Sequence, residues 1–409
     1  MRTVLLLIAL LKAGIFSFAQ DRCTSSDYLD MQIAANPTEA KNIADAERFL
    51  QKKNTTTIFQ GNARTSSQDA VIRIPVVVHV VYKNAADNIS DEQVRSQIDA
   101  LNRDFRRKNS DTLNTPERFR AIAADVQIEF YLAAADPKGR PTSGIVRKKT
   151  DILNFHNNDK IKFSAQGGSD AWDSKSYLNI WVGRLISGAG YSSVPGSDPA
   201  RDGIVINTSA FGTINVGGNY NMGRTAAHET GHWLGLKHIW GDAQCGDDGI
   251  IDTPQQSWYT QNCPSGFRSS CENGALGDMY MNYMDYTADA CTNLFTLGQK
   301  AKMRTAFANG GPRESLLSSK GLNEPWLMEN PGTNTEASFT FYPNPANNEL
   351  NVKFGAESLG KTVSVLNMNG TVVLSVQVKS IVQKINLSNL KTGVYFVKMD
   401  GGTQKFIKL

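Results

Sequence analysis

The sequence has no long run of basic residues and no large excess of either charge. Its 43 lysines and arginines stand against 39 aspartates and glutamates, a formal net charge of +4 over 409 residues. A chain that binds nucleic acid usually carries a basic patch or stripe, so we expect no nucleic-acid partner. Hydrophobic residues make up 40% and charged residues 20% of the chain. That is a globular composition and excludes a disordered or collagen-like protein.

After residue 19 the sequence also lacks a run apolar enough to cross a bilayer, which takes about 20 residues. The first 19 residues combine the basic Arg2 with an apolar stretch and end in small residues at Ala19. This pattern predicts a secretory signal peptide that is cut after Ala19. A membrane anchor is the alternative, but Lys12 interrupts the apolar run. We therefore predict an exported protein with no transmembrane segment.

Cysteine is scarce, with five residues, and its placement is uneven. Cys23 stands alone near the predicted mature N-terminus, while Cys245, Cys263, Cys271 and Cys291 lie close together in one loop-rich stretch. In an exported protein, four clustered cysteines predict two disulfides, and three pairings are possible. The remaining cysteine is predicted to be a free thiol with its own task.

Composition divides the rest of the chain into four segments. Residues 20–64 are polar, with one helix-like stretch around Glu39 to Gln51, and contain too little apolar material for a core, so they are interpreted as a pro-segment. A folded domain is predicted over residues 65–322, followed by a proline-containing linker over 323–337. From residue 338 to 409, short strands separated by Asn and Gly turns predict a small all-β sandwich.

Strands alternating with a helix predict an α/β sheet for residues 71–220. VIRIPVVVHVVY is typical of a buried strand, and its Pro75 indicates an edge position. The helix that follows has Ser90 as its predicted N-cap and Gln93 three positions on. VQIEFYLAA and YLNIWVGRL predict further strands, whereas the chain past Gly235 is predicted to be irregular until a helix over TLGQKAKMRTAFAN.

Histidine is as scarce as cysteine, yet three of the five histidines fall within HETGHWLGLKH. His228 and His232 are four residues apart, so on a helix both rings project from one face. Gly235 can adopt a positive φ that ends the helix and turns the chain back, so that His238 completes the set. Three nitrogen ligands leave a fourth position for water, which predicts a catalytic rather than a structural Zn²⁺ site.

Glu229, one step round the helix from His228, is placed to contact that water and not to bind the metal. It is therefore the predicted general base of a hydrolysis. The alternative is an amphipathic helix with coincidental histidines, but five fixed letters at set spacing rarely arise by chance. His79 and His156 belong to no cluster and are interpreted as structural or surface residues.

The pattern HExxHxxGxxH followed by a methionine turn is that of the metzincin clan. HETGHWLGLKHIWG, CGDDGIIDTP, MNYMDYTADAC and NLFTLGQ closely resemble the pappalysin family of metzincins, especially its small bacterial members, over roughly residues 71–310. The resemblance implies a catalytic domain with a twisted mixed sheet, an active-site helix and an irregular C-terminal subdomain. It further implies that Met284 lies under the zinc and that Tyr286 either hydrogen-bonds the oxyanion or swings away from the metal when substrate enters.

The same resemblance implies disulfides between Cys245 and Cys271 and between Cys263 and Cys291. It also implies a Ca²⁺ site in the oxygen-rich loop after the zinc helix, where a solvated acidic turn is the alternative. Its expected ligands are Asp248, Asp252 and Thr253, with Asp247 nearby.

Cys23 resembles the cysteine switch of the family's zymogens, in which a thiolate takes the open zinc position. A lipidated N-terminal cysteine is the competing interpretation, but it requires Cys23 to be the first mature residue.

The C-terminal segment, with YPNP, LNMNG, GVYFVK and KFIKL, resembles the sorting domain of the Por, or type IX, secretion system. The resemblance implies the type IX machinery as a partner and a secreted, extracellular or surface-attached protein.

We therefore expect a secreted zinc endopeptidase that acts on proteins or peptides. The strand GIVINTS is the expected partner for an extended substrate. The family often prefers a basic residue after the scissile bond; Asp289 could favour it, but Leu297 and Gly298 offer no acidic group.

A non-catalytic surface adhesin on a protease scaffold is the alternative function, although such proteins usually lose the glutamate or a ligand. A zinc-stabilised structural domain is excluded, because three histidines with an open position make a poor structural cage.

Overall fold

A computed structural model describes most of the chain. The predicted signal peptide, the predicted end of the pro-segment and all but the first residue of the predicted linker lie outside the described residues. No helix in the described part is long and apolar enough to cross a membrane. The described ranges are 22–59, 70–323, 339–355, 358–368, 370–399 and 402–409, with the backbone alone described for 53–59.

Two helices precede the sheet, α1 (Ser25–Ala35) and α2 (Pro37–Phe59). The single predicted stretch corresponds to α2, which begins with a proline at its first turn, where no N–H is needed. The Asn36 side chain caps this start by accepting hydrogen bonds from the backbone of Thr38 and Glu39. The helix α1 was not predicted, because its apolar residues show no helical repeat.

A mixed sheet forms the centre of the next domain. Its strands are β1 (Ile72–Tyr82), β2 (Ile128–Leu132), β3 (Ile145–Lys149), β4 (Leu178–Gly183), β5 (Gly190–Ser192) and β6 (Ile204–Asn207). The long strand β1 pairs on one side with β2 and β3 in succession and on the other side with β4. The order is β2 or β3, β1, β4, β6, β5, and all pairings are parallel except that of β5 with β6.

The strand β1 is interior, so the edge position indicated by Pro75 is wrong. The proline is tolerated because only β2 pairs with the chain at this point. The ladder with β4 begins one residue later, at Val76.

Four helices accompany the sheet: α3 (Asp91–Phe105), α4 (Glu117–Arg120), α5 (Arg224–Trp233) and α6 (Leu297–Thr305). Ser90 caps α3 as expected, since its hydroxyl accepts the N–H of Gln93. One sheet face packs its alternate side chains against α3 and α5 in the main core. The opposite side chains, Val81, Trp181 and Val205, define what we call the back face of the sheet.

From Leu234 to Thr296 the chain contains no strand and no α-helix, only one 3₁₀ turn at Asp289–Cys291. Disulfides join Cys245 to Cys271 and Cys263 to Cys291, the pairing that the resemblance implied. We call residues 70–233 the regular half and residues 234–296 the irregular half of the catalytic domain. The predicted fold, a mixed sheet with an irregular second part, is confirmed.

The strands of the C-terminal segment are β7 (Phe339–Tyr342), β8 (Glu349–Phe354), β9 (Thr362–Asn367), β10 (Val372–Gln377), β11 (Val382–Asn386), β12 (Gly393–Met399) and β13 (Gly402–Lys408). They form two antiparallel sheets, with the orders β10-β9-β12-β13 and β11-β8-β7. Side chains of both sheets share one apolar core, which includes Val352, Val365 and Phe406. This confirms the predicted sandwich.

Candidate metal centre

Three histidine rings converge where α5 meets the irregular half. His228 and His232 lie one turn apart on α5, and every residue of that helix is buried. Gly235 has a φ of +94°, and a Cβ there would lie 2.5 Å from the Leu50 side chain. The helix ends there, and the returning chain brings His238 to the pair. The Nε2 atom of His232 lies 3.1 Å from the Nε2 atoms of both His228 and His238.

The other ring nitrogen of each histidine has a fixed acceptor. Nδ1 of His228 donates to the carbonyl of Tyr283 at 2.7 Å, and Nδ1 of His232 donates to the carbonyl of Leu236 at 2.9 Å. Burial lowers the pKa of His232 to about 3, and the neighbouring His238 acts in the same direction. Because each Nδ1 faces a carbonyl, it carries the ring proton and leaves Nε2 with its lone pair turned toward the other histidines.

His238 is oriented differently, by side chains. Its Nδ1 lies 2.5 Å from a carboxylate oxygen of Asp242, and its ring stacks on Trp240 with centroids 4.3 Å apart. A carboxylate behind a metal-binding histidine fixes its tautomer and orientation. Unlike the two backbone carbonyls, this partner can be removed by substitution.

Three lone pairs turned toward one another repel unless a cation lies between them, so the donor set fits Zn²⁺. Tetrahedral zinc with Zn–N distances of about 2.0–2.1 Å places ligand nitrogens about 3.3 Å apart. The separation of 3.1 Å is close to that value. Cys23 completes the cluster, because its sulfur and the three ring nitrogens all lie within 4.8 Å of one another.

Glu229 lies beside this cluster and is fully buried. Its Oε2 accepts a hydrogen bond from the Ser25 hydroxyl at 2.8 Å and lies 3.6 Å from the Cys23 sulfur. Its Oε1 has no hydrogen-bond partner among the described residues. Burial raises the pKa of Glu229 to about 8, and the bond from Ser25 opposes this shift.

Cys23 is held by the edge of the sheet. The N–H of Thr24 donates to the carbonyl of Gly190 at 3.1 Å, and the N–H of Ala189 donates to the carbonyl of Arg22 at 3.1 Å. Burial, together with the charge of Glu229, raises the pKa of the Cys23 thiol well above its usual value. A divalent cation at the cluster would act in the opposite direction.

The same contacts identify the strand that can hold a peptide. The strand β6, which contains most of GIVINTS, lies between β4 and β5, so both of its edges are occupied. The expectation that this strand pairs with substrate is therefore wrong, and the free edge belongs to β5. The strand β5 is only three residues long, and its sequence GYS gives a weaker strand signal than IVIN.

Met284 and Tyr286 come from the irregular half. A Cβ on Gly231 would lie 2.4 Å from the Met284 sulfur, so the methionine packs directly against α5 between His228 and His232. The Tyr286 hydroxyl donates to the carbonyl of Cys23 at 2.8 Å. Tyr286 thus binds a peptide carbonyl next to the metal cluster.

Arg22 fills a buried site beside the cluster that the sequence did not reveal. It exposes none of its surface, forms an ion pair with Asp289 at 3.2 Å, and donates to the carbonyl of Thr287 at 2.5 Å. The other Asp289 oxygen accepts the N–H groups of Met222 and Arg224 at the start of α5. Arg22 next to Cys23 is visible in the sequence, but no local pattern points to Asp289 as its partner.

The two aspartates Asp248 and Asp252 of the acidic loop after α5 have different roles. Asp248 Oδ1 accepts bonds from the Thr253 hydroxyl at 2.8 Å and the Ile250 N–H at 3.0 Å. Its Oδ2 is buried without a partner among the described residues, and burial raises the pKa of Asp248 to about 7. Asp252 instead accepts bonds from the Thr296 hydroxyl and the Gly298 N–H at the start of α6. Asp252 is thus occupied in holding α6.

Sequence reasoning also missed Ser25, Trp240 and Asp242. Asp242 lies four residues after His238, a spacing that points to contact only on a helix, whereas here Asp242 has a φ of +55° in a turn. Ser25 lies two residues after Cys23, and nothing local indicates that it meets Glu229, 204 residues away.

Two family models match the chain. The model described as pregnancy-associated plasma protein-A matches residues 162–308. The model described as a secretion system C-terminal sorting domain matches residues 340–409.

Known proteins resemble the catalytic part over most of their own length. An extracellular metalloprotease of Colletotrichum graminicola is 43% identical over 287 residues, covering 67% of this chain and 88% of the relative. The structure of mature mirolysin from Tannerella forsythia in complex with a cleaved peptide is 48% identical, with a TM-score of 0.60, and covers 61% of this chain and 97% of that one. A promirolysin variant of the same organism is 43% identical, with a TM-score of 0.65, and the shares are 73% and 97%.

Proposed function

The chain belongs to the pappalysin family of metzincins, which makes it a secreted zinc metalloendopeptidase, and we propose that His228, His232 and His238 bind its zinc and Glu229 is its general base. The observation that carries this proposal is the convergence of three Nε2 atoms beside the buried Glu229. The adhesin alternative draws no support from a cluster in which every ligand and the glutamate are in place.

Bound zinc supplies a Lewis acid that polarises the scissile carbonyl and lowers the pKa of water toward about 7. Glu229 accepts the proton of the attacking water and passes it to the leaving amine. Its position beside the histidine cluster, with an Oε1 that has no hydrogen-bond partner among the described residues, suits both steps. Tyr286, whose hydroxyl now binds the Cys23 carbonyl, donates to the carbonyl oxygen of the substrate.

The edge of β5 aligns the substrate backbone, and Asp289 selects a basic side chain next to the scissile bond. Arg22 supports the second assignment, because this arginine from the pro-segment already forms a buried ion pair with Asp289. The family resemblance points to the residue after the cut. Leu297 and Gly298 are not needed for this preference, since Asp289 supplies the negative charge.

Residues 20–64 keep the precursor latent. Cys23 offers its sulfur to the metal cluster, and Ser25 occupies the Glu229 carboxylate at the same time. The promirolysin structure covers 73% of this chain and the mature form covers 61%. The larger share matched by the precursor form supports a precursor of the same kind here. The activating cut is expected near Arg64, outside the described residues.

A calcium site at Asp248 and Thr253 completes the catalytic domain, which spans residues 65–322. The unpaired, buried Asp248 Oδ2 supports it, because a cation would satisfy that oxygen. After the linker over 323–337, residues 338–409 direct export through the type IX secretion machinery. The match to a sorting-domain model supports this role and an extracellular or surface location.

The decisive experiment is Glu229→Ala, tested on enzyme freed of its pro-segment by limited trypsin treatment. Hydrolysis of a peptide library should fall about 100- to 10,000-fold, the usual contribution of a general base. Zinc content and melting temperature should stay at wild-type values, because Glu229 is not a ligand. Glu117→Ala, at an exposed glutamate, is the control and should change neither.

Activity within twofold of wild type would contradict the role of Glu229. Loss of zinc from Glu229→Ala would show instead that the glutamate helps to bind the metal.

A further inference from the structure

A buried ion pair at the back face of the sheet takes no part in the proposed reaction. Lys162 Nζ lies 2.9 Å from Asp159, and the two side chains expose 0% and 5% of their surface. Burying two charges carries a desolvation penalty that can exceed their attraction. A pair of this kind is well suited to bind a polar group that satisfies both of its members.

That polar group is the hydroxyl of Tyr28 on α1. The ammonium group of Lys162 has three N–H bonds to place. It reaches Asp159, the carbonyl of Arg201 at 2.8 Å and the oxygen of Tyr28 at 3.2 Å. The Tyr28 hydroxyl in turn donates to Asp159 at 2.9 Å. One phenol thus accepts from the cation and donates to the anion.

The walls around this hydroxyl are aromatic. The Tyr28 ring lies 4.8 Å from the Tyr191 ring, and Lys162 Nζ lies 5.1 Å from the ring of Tyr191 and 5.4 Å from that of Trp181. Tyr28 exposes 2% of its surface. We call the site formed by Asp159, Lys162, Trp181 and Tyr191 the tyrosine slot.

The tyrosine slot lies on the other side of β5 from the metal centre. A Cβ on Gly190 would lie 3.1 Å from the Glu229 side chain, whereas the next residue, Tyr191, packs with Tyr28 at the back face. Side chains of successive strand residues point to opposite faces. The pro-segment therefore holds β5 from both sides, with Cys23 on one and Tyr28 on the other. Release of the thiol leaves the second contact in place.

We propose that the tyrosine slot is a binding site of the mature enzyme for a phenolic side chain, and that its ligand is helix α1 of the cleaved pro-segment. The proposal rests on the proposed role of residues 20–64 as a pro-segment. When α1 leaves, a Lys162 N–H loses the Tyr28 oxygen, and Asp159 Oδ2 loses Tyr28 and Gln32 and keeps only Arg201 Nε at 3.8 Å. The loss of these hydrogen bonds among aromatic walls destabilises the vacated slot. A phenol restores both bonds and a phenyl ring restores neither, so the site distinguishes Tyr from Phe.

The test uses the mature enzyme, obtained by processing the full chain, and a synthetic peptide of residues 22–36 carrying Cys23→Ala so that no thiol reaches the metal. Binding is followed by fluorescence anisotropy, independently of hydrolysis. Tyr28→Phe in the peptide should weaken binding about tenfold or more, as expected when two hydrogen bonds to buried charged groups are lost. Met31→Ala, at an exposed position of the same helix, is the control and should bind like the parent peptide.

Lys162→Met in the enzyme should narrow the difference in affinity between the Tyr28 peptide and its Tyr28→Phe form, because the Tyr28 hydroxyl then keeps only its bond to Asp159. In the uncut full chain, adding Tyr28→Phe to Cys23→Ala should raise peptide hydrolysis about tenfold, and adding Met31→Ala should not. Equal binding of the two peptides by the wild-type enzyme, or no binding of either, would overturn the proposal. A wild-type precursor as active as processed enzyme would overturn latency instead, and the peptide result would stand on its own.

Discussion

The regular and irregular halves of the catalytic domain meet at the metal centre and contribute to it about equally. The regular half supplies His228, His232 and Glu229 from one buried helix. The irregular half supplies His238, and with it Met284 and Tyr286. The regular half therefore holds its residues of the site on a helix with its own backbone hydrogen bonds. The irregular half holds its residues on a chain that forms neither an α-helix nor a strand.

In the irregular half, hydrogen bonds from the backbone to side chains, together with disulfides, take the place of the backbone hydrogen bonds of helices and strands. Asp285 accepts the N–H groups of Thr260 and Tyr286, and Asp278 accepts the N–H of Ser270. Two disulfides close loops with sequence separations of 26 and 28 residues. Loops without strand or helix partners need such acceptors, because buried N–H groups must be satisfied. The comparison predicts that individual substitutions disturb the irregular half more than the regular half.

The largest effect is expected from removing the second disulfide with Cys263→Ser and Cys291→Ser. Closing a loop of this length stabilises the folded state by about 3–4 kcal/mol through the unfolded chain. Because Met284 and Tyr286 lie inside that loop, activity should fall together with stability. Denaturant unfolding and hydrolysis rates of the processed enzyme provide the measurement. The regular half contains no disulfide to serve as a counterpart, so Ser265→Ala, at an exposed position of the same loop, is the control and should leave the stability of the processed enzyme unchanged.

The stability of the regular half should fall in acid, and His79 should be the main cause. This buried ring contacts Ser169 and Asn179, and burial lowers its pKa to about 4. The unfolded state, with a pKa near 6.5, binds more protons between these values, so stability is lost as pH falls from about 6.5 to 4. The loss should approach about 3 kcal/mol. His79→Gln should flatten this pH dependence, while His156→Gln, at an exposed position, should not. Identical slopes for the two variants would contradict the assignment.

A smaller effect should follow from Asp242→Asn, which weakens the side-chain support of His238. Loss of a carboxylate behind a metal-binding histidine typically costs 10- to 100-fold in metal affinity. Competition with a zinc chelator measures this directly. Asp99→Asn, on the exposed side of α3, is the matched control. Unchanged zinc affinity in Asp242→Asn would show that Trp240 and the backbone suffice to hold the ring.

The smallest effect is expected from calcium removal. A calcium-selective chelator should lower the melting temperature by a few degrees, since about 1 kcal/mol corresponds to roughly 2–4 °C in a domain of this size. Activity should fall reversibly, because the loop lies between α5 and the methionine turn. In Asp248→Asn the chelator should have no further effect. If the wild-type melting temperature does not move, the loop is a polar turn and the irregular half depends on its disulfides alone.

The sequence predicted what depends on neighbours along the chain. The spacing of His228 and His232, the cap at Ser90 and the strand β1 all follow from local patterns, and the structure contains each of them. Contacts between distant residues were not predictable in the same way. Arg22 meets Asp289 across 267 residues, and the free edge of the sheet belongs to the short β5 because the more strand-like β6 lies inside. The pairing of the cysteines came from family resemblance and not from the residues themselves.

The two cross-links of the irregular half also connect activity to location. Cytosol keeps thiols reduced, whereas disulfides form and persist after export. Before export, the loop that carries Tyr286 has no covalent brace, so we expect its part of the candidate site to be less firmly held. Together with the proposed pro-segment, the redox state of the compartment in which the chain is made would then give the producing cell a second protection from the peptidase.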